Sequence, residues 1–591
     1  MENIEIASVL DELGDLLEIR GSNPFRIRAY RNAVRTVRGL TQSLESMVAA
    51  EEDLTELPAV GKDMSAHIVE LIDTGVLTRL EELAEEIPRS LVNLVKLDGV
   101  GPKKAKKLWE SLDVKTVDEL EDALNAGKVQ ELEGFGATSV QKILRAIEDY
   151  RRYSGRFLLS QVDDLIGPLL EHMRGAAGVQ RIEVAGSYRR RRDTIGDVDL
   201  LVQAEFPAPD VMERFTTFGS VDRVDLEGET RGAVVLRSGL EVDLRIVPPR
   251  SFGAALHYFT GSMEHTVALR QIAVRQGLRV NEWGVFRLSE GVEPDVEPDE
   301  VSKEDGERIA GDTEESVFEA VGLPWIPPVV RENRGEIASA RDGSLPGLVT
   351  LDDIRGDLHM HSTWSDGKAS IEAMASACMA RGYDYMAISD HSPALAMVQG
   401  LTPEKAPKQW AEIEEIQKGL EGFTIFKAME VDILRDGSLD MTDEVLEELD
   451  VVIVSVHSLM DLDLATMTDR VIKAVQHPSV DIVGHPTGRL LGRREPFELD
   501  VEAMLQAALE CDVAVEINAN PNRLDLNDVH ARRAKELDIK VAINTDAHSI
   551  QRLDHLSYGV DQARRAWLEK DDVLNTMTVD QFRAWTERRQ A

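Results

Sequence analysis

The sequence contains little of what secreted and membrane proteins need. Only two of its 591 residues are cysteines, which argues against a disulfide framework and indicates a reducing compartment. The longest run of mostly apolar residues, 451–456, is far too short to cross a bilayer. The N-terminal residues are acidic and amphipathic and lack the pattern of a signal peptide. These absences predict a cytoplasmic protein with no membrane association.

Basic residues are also scarce. The chain has 67 lysines and arginines against 107 aspartates and glutamates, so its formal net charge is −40. A surface this acidic repels nucleic acid on average. Any site for DNA or for a phosphate must therefore be built from local basic patches or from bound cations. The acidity would also suit a salt-rich cytoplasm.

The chain is long enough for about three to five domains, since domains commonly have roughly 100–200 residues. Short amphipathic helices are predicted up to residue 155, followed by a mixed region with strands at 182–188, 198–204, 232–237 and 240–247. The acidic stretch 291–315 predicts a solvated loop, and the Pro- and Gly-rich residues 324–347 predict a linker. From residue 351 onward, apolar strands alternate with helical patterns, which indicates βα units around a parallel sheet or barrel.

One glycine turn recurs three times in the first 155 residues. The copies are LPAVGK (57–62), LDGVGP (97–102) and LEGFGA (132–137), and a helical pattern follows each. Such a turn points backbone N–H groups outward at a helix N-terminus, which suits a phosphate. A single copy is equally typical of an ordinary helix–helix connection. Three copies about 40 and 35 residues apart favour binding of a nucleic-acid backbone.

The three turns resemble helix-hairpin-helix motifs. The helix after the second turn carries four lysines, at 103, 104, 106 and 107, in an otherwise acidic protein. The third turn has no run of lysines nearby and is the weakest copy. The resemblance implies sequence-independent DNA binding by Gly61, Gly99, Gly101, Lys103, Lys104, Gly134 and Gly136.

Two aspartates two residues apart are the strongest signal in the middle of the chain. Asp197 and Asp199 lie in AGSYRRRRDTIGDVDLLV (185–202), so both carboxylates project from one face of a strand. Asp243 lies in the hairpin sequence VVLRSGLEVDLRIV (234–247). Three converging aspartates repel one another unless cations are present, and two hard cations about 3.5–4 Å apart support phosphoryl transfer. The alternative is a surface hairpin in which the four arginines only pair with the aspartates.

This segment resembles the nucleotidyltransferase signature, and its surroundings resemble the family X DNA polymerases. The supporting sequences are NPFRIRAY (23–30), YFTGS (258–262) and GLRVNEWGV (277–285). The resemblance implies that Asp197, Asp199 and Asp243 are catalytic and bind two Mg²⁺ ions. It implies nucleotide contacts at Gly186, Ser187, Arg190, Gly196, Tyr258, Phe259 and Gly261. His67 stands where the eukaryotic repair members have the lyase lysine, which argues against a lyase activity.

Nine of the thirteen histidines follow residue 350, and most come directly after short apolar strands. One such histidine is more typical of packing than of metal binding. Several together, with carboxylates, suit zinc, manganese or iron, and barrel enzymes place their chemistry at the C-terminal ends of strands. The candidate ligands are His359, His361, Asp366, Asp390, His391, Glu430, Asp432, His457, His485, Asp546 and His548.

Residues 351–575 resemble the PHP (polymerase and histidinol phosphatase) phosphoesterases. The resemblance implies a distorted barrel with up to three Mn²⁺ or Zn²⁺ ions. The nine-ligand pattern of that family is complete here, in His359, His361, Asp366, His391, Glu430, His457, His485, Asp546 and His548. Asp357, Glu516 and Asn518 are expected beside the ligands or the substrate. Arg489, Arg493 and Arg494 are expected either to steer a DNA phosphate or to be solvated surface residues.

The order of these segments resembles the bacterial and archaeal family X DNA polymerases that carry a C-terminal PHP domain. The expected fold is multidomain: helical N-terminal and helix-hairpin-helix domains, an α+β palm with a thumb, and a distorted (β/α) barrel. The expected segments are an end-binding domain (1–80), fingers (81–155), palm (156–250), thumb (251–325), linker (326–350) and PHP domain (351–591).

The resemblance implies a monomer that adds dNTPs to gapped or primer–template DNA in repair and removes 3′-terminal groups at its PHP site. Two alternatives stay open at this point. In the first, only the PHP site is active and the polymerase half holds DNA ends. In the second, the PHP metals are structural and the protein is a polymerase alone.

Overall fold

The computed structural model describes residues 3–38, 44–50, 52–95, 97, 99–132, 134–153, 155–288, 306–395 and 398–587. The chain divides into two compact units. The first contains Met1–Ile182, Gly196–Ile246 and Gly492–Arg494, and the second contains Glu183–Ile195, Val247–Leu491 and Glu495–Ala591. In the described part of the chain, no helix combines the length and the apolarity that crossing a membrane requires.

The N-terminal part of the first unit is helical, as predicted. Its α-helices are Asn3–Arg20, Pro24–Arg38, Leu44–Ala49, Lys62–Thr74, Thr78–Glu86, Leu91–Val95, Pro102–Leu112, Val117–Asn125 and Ala137–Tyr153, with 3₁₀ turns at Leu54–Glu56 and Val129–Glu131. In the first helix Ile6, Leu10, Leu13 and Leu17 are fully buried, which is the spacing of one helix face. The apolar faces of these short helices meet in one core that extends to Ile147.

The rest of the first unit is a five-stranded sheet with two helices. The spatial order of the strands is Arg181–Val184, Asp197–Gln203, Glu241–Val247, Arg231–Leu236 and Val221–Glu227. The helices are Leu159–Arg174 and Pro209–Thr216, and a short strand lies at Phe157–Leu158. Three of the predicted strands are confirmed to within a residue. The fourth, 182–188, is wrong after Val184, because residues 186–189 form a helical turn.

The second unit begins with the segment Glu183–Ile195, which holds the helical turn Gly186–Arg189 and the strand Thr194–Ile195. Helices follow at Phe252–Thr260, Met263–Arg275, Glu314–Ala320 and Glu336–Asp342, with 3₁₀ turns at Pro249–Ser251 and Pro328–Val330. A three-stranded antiparallel sheet consists of Leu278–Asn281, Gly284–Arg287 and Glu307–Ala310.

Two composition-based predictions fail in this region. Residues 291–305 of the acidic stretch lie outside the described residues. The rest of that stretch was expected to be a loop, but it contains the strand Glu307–Ala310 and the start of a helix, because Thr313 caps that helix by accepting from Ser316 N. The predicted linker contains the helix Glu336–Asp342, and Arg331 within it is fully buried. Its prolines and glycines mark turns in a packed segment.

A buried ion-pair network explains the packing of that segment. Glu314 accepts hydrogen bonds of 2.7 Å from Arg331 and, through both carboxylate oxygens, from Arg189. Trp325 Nε1 also donates to Glu314, at 3.2 Å. Burial opposes the charge of Glu314, but the two arginines outweigh burial and hold the pKa of the carboxyl well below its ordinary value. All four side chains belong to the second unit.

We expect Glu314→Gln to lower the free energy of local unfolding by about 3–5 kcal/mol, because removing one partner of a buried ion pair leaves the other charge buried without compensation. The matched control is Glu307→Gln, whose exposed pair with Arg287 should contribute below about 1 kcal/mol. Hydrogen–deuterium exchange of the helices Met263–Arg275 and Glu314–Ala320 measures the difference. The wild-type contribution should be present above the pKa of the unfolded carboxyl and decline as the pH falls below it. Equal protection from exchange in Glu314→Gln and Glu307→Gln would contradict the stabilising role of the buried ion-pair network.

The remainder of the second unit is a nearly closed parallel barrel. Its seven strands pair in chain order: Gly356–Asp357, Tyr385–Ile388, Thr424–Asp432, Val451–Ser455, Ile482–Val483, Ala514–Asn518 and Val541–Asn544. A parallel bridge between Met360 and Ala547 joins the ends of the first and last strands. The strands are buried on both faces, which is why sequences such as VVIVS are continuously apolar.

Helices cover the outside of the barrel. They are Ile371–Ala380, Ala406–Gln417, Asp443–Leu446, Leu464–Val475, Val501–Cys511, Asp528–Glu536, Leu556–Arg565 and Val579–Glu587. Four 3₁₀ segments lie at Leu351–Asp353, Ile550–His555, Lys570–Asp572 and Leu574–Thr576. The predicted distorted (β/α) barrel is confirmed.

Candidate active sites

The three glycine turns of the first unit share one backbone conformation. The same turn hydrogen bond occurs in each copy: Val60 N to Leu57 O (3.1 Å), Val100 N to Leu97 O (3.0 Å) and Phe135 N to Leu132 O (3.1 Å). The residue before each donor is left-handed, with φ of 61° at Ala59, 86° at Gly99 and 93° at Gly134. The repeated sequence pattern therefore corresponds to a repeated structure.

The outer side of each turn is open. A helix starts directly after Gly61, Gly101 and Gly136, and a Cβ added at any of these glycines would meet no described atom within 4 Å. Helix N-termini with open space beside them suit an anion such as a phosphate.

The two lysines predicted to bind DNA have different surroundings. Lys103 is exposed. Lys104 donates to Gly99 O and to Ser139 Oγ, both at 2.9 Å, and its Nζ lies 5.3 Å from the ring centroid of Phe135. Lys104 thus joins the second turn to the third.

The predicted catalytic aspartates lie on two neighbouring strands of the first unit. Asp197 and Asp199 alternate with the buried residues Val198 and Leu200, so their carboxylates share the open face of the sheet. Asp243 lies on the adjacent strand, opposite Ala233 of the hairpin, and is half-buried. The three carboxylates therefore occur on adjacent strands, as the sequence predicted.

The predicted nucleotide contacts fall in both units. Gly186 and Ser187 begin a helical turn, and Gly186 has a φ of 65°. Gly196 lies in the first unit, directly before the aspartate-bearing strand. Tyr258 and Phe259 end a helix of the second unit with their rings packed edge to face.

Arg190 lies beside the end of the helix that carries Tyr258. Its Nη1 donates to Thr260 O at 2.6 Å, and its Nε donates to Glu332 Oε1 at 3.1 Å. A Cβ at Gly261 would lie 3.1 Å from Arg190 Nη1, so the absence of a side chain there lets the guanidinium in. The structure thus brings together two parts of the predicted nucleotide site, Arg190 and the sequence YFTGS.

The nine predicted metal ligands converge at the C-terminal ends of the barrel strands. Three groups of them have ligand atoms within 4.8 Å of one another: His361, Asp366, His391 and His548; His359, His361 and Asp546; and His391, Glu430 and His457. His361 and His391 each belong to two groups, which is the arrangement expected around several adjacent ions. In the described part of the chain no other such group is found, and Asp197, Asp199 and Asp243 do not form one.

Glu430 is the centre of this cluster. Its Oε2 lies 2.9 Å from His391 Nδ1 and 3.3 Å from His359 Nε2, and its Oε1 lies 2.9 Å from His485 Nε2 and 3.2 Å from His457 Nε2. Burial opposes its charge, but the surrounding imidazoles outweigh burial and hold the pKa of Glu430 well below its ordinary value. Burial, together with the neighbouring His548 and His391, lowers the pKa of His361 to about 3. An ionised carboxylate and a neutral imidazole are the forms that bind a cation.

Several buried atoms of the cluster make no hydrogen bond of normal geometry with a described residue, although some lie close to another ligand atom. They are His359 Nε2, both ring nitrogens of His361, Glu430 Oε2, His457 Nδ1 and His485 Nδ1. Buried polar atoms are rarely left unsatisfied in native proteins. Divalent cations would satisfy these atoms, so the donor set fits the metals that the sequence predicts.

Backbone conformation also marks the cluster. His485 and Asp546 have positive φ angles of 27° and 52°, which non-glycine residues adopt rarely. Gly484 leaves no room for a side chain, since a Cβ there would lie 2.6 Å from Ser455 Oγ. Glycine at this position lets the fifth strand bring His485 against its neighbours.

A second layer of side chains orients the ligands. His359 Nδ1 donates to Glu516 Oε1 at 2.8 Å, which leaves Nε2 directed into the cluster. Asn518 donates to Glu516 and Asp546, each at 3.2 Å. Asp357 accepts from Thr545 Oγ1 and from His359 N. All three residues that the sequence placed beside the ligands therefore contact them or their partners.

Sequence reasoning missed one charged residue beside the cluster. Arg523 Nε lies 3.8 Å from Asp546 Oδ2. The signal that would have found Arg523 is its position after a barrel strand, where the ligands also lie. Asp390, a candidate from the sequence, is fully buried, where it accepts from Ser362 and Gln409.

Arg489 is neither solvated nor free to steer DNA. It donates to the backbone carbonyl of Arg523 at 2.8 Å, and its Nη1 lies 3.3 Å from Asp193. Arg489 therefore supports the loop that carries Arg523.

Four known sequence families match parts of the chain. They are described as helix-hairpin-helix domain (residues 1–77), SAM-like helix-hairpin-helix tandem (91–149), DNA polymerase beta thumb (255–332) and PHP domain (357–520). The matches occur in the order in which the corresponding regions appear in the structure.

Three curated proteins are similar to the chain. It is 38% identical over 590 residues to the DNA polymerase/3′-5′ exonuclease PolX of Bacillus subtilis (strain 168), in an alignment that covers 100% of both chains. It is 29% identical over 232 residues to a probable phosphatase of Thermoanaerobacter sp. (strain X514), covering 37% of this chain and 89% of the relative. It is 23% identical over 351 residues to DNA polymerase lambda of Rattus norvegicus, covering 56% of each.

Proposed function

Because this chain belongs to the family X DNA polymerases that carry a C-terminal PHP domain, we propose that it fills short gaps in DNA during repair. The chain is a DNA polymerase with a 3′–5′ exonuclease activity, and both activities depend on divalent metal ions. Its helix-hairpin-helix and thumb regions bind DNA. The assignments of residues, ions and substrates that follow are parts of the same proposal.

In the polymerase site, Asp197, Asp199 and Asp243 would hold two Mg²⁺ ions. Such a pair of ions stabilises the attacking and leaving oxygens of a phosphoryl transfer. The aspartates supply the negative charge that keeps the ions in place on the open face of the sheet. Ser187 and Arg190 would bind the phosphates of the incoming dNTP, and Tyr258 and Phe259 would pack against its sugar.

In the barrel site, the nine clustered ligands would hold up to three ions, Mn²⁺ or Zn²⁺. Such ions activate water and neutralise charge on a phosphate. The substrate would be a 3′-terminal nucleotide or a 3′-blocking phosphate. Arg523 would add a fixed positive charge beside Asp546, which suits a phosphate oxygen.

The proposal also covers the state of the protein in the cell. We expect a monomer that acts on gapped or primer–template DNA in the cytoplasm. We also expect the six segments given in the sequence analysis to be the domains of the protein.

The observation that carries the proposal is the completeness of both ligand sets, the three aspartates on the five-stranded sheet and the histidines and carboxylates in the barrel. The test is a labelled primer on a one-nucleotide-gapped duplex, incubated with the full-length protein. Mg²⁺ with dNTPs should give extension by one nucleotide, and Mn²⁺ without dNTPs should give progressive shortening. Shortening without any extension would overturn the gap-filling proposal and leave a repair phosphoesterase.

Removal of metal should destabilise the barrel. We expect Mn²⁺ at about 100 times its Kd to stabilise the native protein by about 2.7 kcal/mol, and a chelator to reverse this. Hydrogen–deuterium exchange of the strands Thr424–Asp432 and Val541–Asn544 shows whether the stabilisation by Mn²⁺ lies in the barrel. The gain in stability with Mn²⁺ should vanish in His361→Ala and persist in His477→Ala. His477 is a barrel histidine that pairs with Asp443 outside the cluster. An unchanged gain in His361→Ala would place the metal elsewhere.

A further inference from the structure

Arg565 joins the barrel to the segment that carries the predicted phosphate ligand. It ends the barrel helix Leu556–Arg565, and its side chain is only 2% exposed. Its Nη1 donates to the backbone carbonyl of Arg190 at 2.6 Å and to Glu332 Oε1 at 3.1 Å. Its Nη2 donates to Asp528 Oδ2 at 2.7 Å. One guanidinium thus contacts three parts of the second unit that are far apart in sequence.

Glu332 links Arg565 to the side chain of Arg190. The same oxygen, Oε1, accepts from Arg565 Nη1 and from Arg190 Nε, each at 3.1 Å. Arg565 therefore fixes the backbone carbonyl of Arg190 directly. Glu332, which Arg565 also contacts, fixes the Arg190 guanidinium. Its Nη1 is fixed in addition by Thr260 O.

The arginines of this network outnumber its carboxylates. Arg190 and Arg565 face Glu332 and Asp528, and Arg334 also donates to Asp528 at 2.9 Å. Burial opposes the charge of Arg565, but Asp528 and Glu332 raise the pKa of its guanidinium above the ordinary value. Burial lowers the pKa of Arg190, and Glu332 counteracts it. Both arginines remain charged at neutral pH because arginine titrates only far above it.

Arg565 determines how strongly Glu332 holds Arg190. With Arg565 present, the carboxylate of Glu332 is shared between two guanidinium groups. Without Arg565, the main remaining partner of Glu332 is Arg190, with Arg192 at 3.9 Å. A phosphate that needs the Arg190 guanidinium would then compete with a carboxylate whose negative charge Arg565 no longer shares.

Further barrel residues hold the same segment. Arg191 Nε donates to Asp561 Oδ2 at 2.6 Å, and the Arg191 guanidinium lies 5.9 Å from the ring centroid of Tyr558. Arg489 of the barrel approaches Asp193 at 3.3 Å. Residues 190–193 are thus attached to the barrel at several points, none of which is a predicted metal ligand.

We propose that Arg565, a barrel residue outside the metal cluster, is a positioning residue for Arg190 and thereby sets the affinity of the polymerase for the incoming nucleotide. The inference rests on the proposed role of Arg190 as a phosphate ligand. It makes nucleotide binding by the polymerase dependent on the PHP barrel, separately from the chemistry of the barrel's own site.

The test compares full-length variants in single-nucleotide gap filling over a range of dNTP concentration. Arg565→Gln should raise the KM for dNTP about tenfold, the equivalent of one charge-assisted hydrogen bond, and change kcat less than about threefold. Arg565→Lys should give an intermediate KM, because an ammonium keeps the charge but cannot span three acceptors. Shortening of the primer in Mn²⁺ should match wild type in both variants. The matched control is Arg533→Gln, an exposed arginine of another barrel helix that pairs with Glu502.

A double variant separates positioning from a general loss of structure. If Arg565 acts through Arg190, Arg190→Gln should raise the KM, and adding Arg565→Gln to it should raise the KM no further. Additive effects on KM, or a fall in kcat with KM unchanged, would overturn the proposal. If Arg565→Gln does not fold, the KM of Arg565→Lys decides the question alone, and a wild-type value would overturn the proposal.

The same series distinguishes failure of this inference from failure of the proposed site. An unchanged KM in Arg190→Gln would refute the role of Arg190 in phosphate binding, and the inference would fall with it. A raised KM in Arg190→Gln together with a wild-type KM in Arg565→Gln would refute the positioning role alone.

Discussion

Replacing Asp199 by asparagine is expected to abolish primer extension, with kcat reduced by about 10³-fold or more, while shortening of the primer continues. Asparagine has nearly the same shape as aspartate, so the strand and its buried neighbours Val198 and Leu200 should be undisturbed. What disappears is one of three negative charges on the open face of the sheet. A bound metal ion stabilises the transition state of phosphoryl transfer by several kcal/mol, and each 1.36 kcal/mol is a factor of ten in rate.

The control for this variant is Asp222→Asn. Asp222 is exposed on the edge strand Val221–Glu227 of the same sheet, so it tests the loss of one negative charge without touching the predicted ligands. Its extension rate should stay within about twofold of wild type, as expected for a surface substitution. Both variants should melt at the wild-type temperature.

Extension by Asp199→Asn at a rate near that of wild type would contradict the assignment of the polymerase site. A loss of extension and shortening together would indicate damage beyond the site, and the melting temperature would identify it. If extension alone is lost, the alternative in which the palm only holds DNA ends for the barrel is excluded.

The features that the sequence predicted well are local and repetitive. The three glycine turns follow from five-residue patterns, and Ala59 shows that the left-handed residue is retained where glycine is replaced. The aspartates Asp197 and Asp199 follow from the two-residue period of a strand. Most of the barrel ligands follow from a rule of position, since they come at or just after the end of an apolar strand; Asp366, in the loop after the first strand, is an exception.

The features that the sequence did not predict depend on contacts between distant residues. Arg331 lies in a segment whose prolines and glycines resemble a linker, yet it is buried because Glu314 is available to pair with it. Arg565 resembles any surface arginine at the end of an amphipathic helix. Its role depends on Arg190, 375 positions away, and on Glu332, 233 positions away. No local pattern encodes such a pairing.

His361, one of the two histidines that belong to two of the barrel's ligand groups, offers the reciprocal experiment. His361→Ala is expected to reduce shortening of the primer by about 10³-fold or more and to leave extension within about twofold of wild type. The reason is geometric: His361 is fully buried and lies within ligand distance of both Asp366 and Asp546, so its loss removes a donor from two adjacent ion sites at once.

The effect of His361→Ala must be separated from a change in packing. His477→Ala removes a barrel imidazole outside the cluster and should retain both activities. Shortening that persists in His361→Ala at the wild-type rate, with Mn²⁺ still bound, would mean that the barrel metals stabilise the fold and the hydrolytic site lies elsewhere. If His361→Ala loses shortening but keeps extension, and Asp199→Asn loses extension but keeps shortening, the protein has two active sites that can be inactivated independently. The only expected coupling between them would then be through residues such as Arg565, which changes the affinity for dNTP and leaves hydrolysis unchanged.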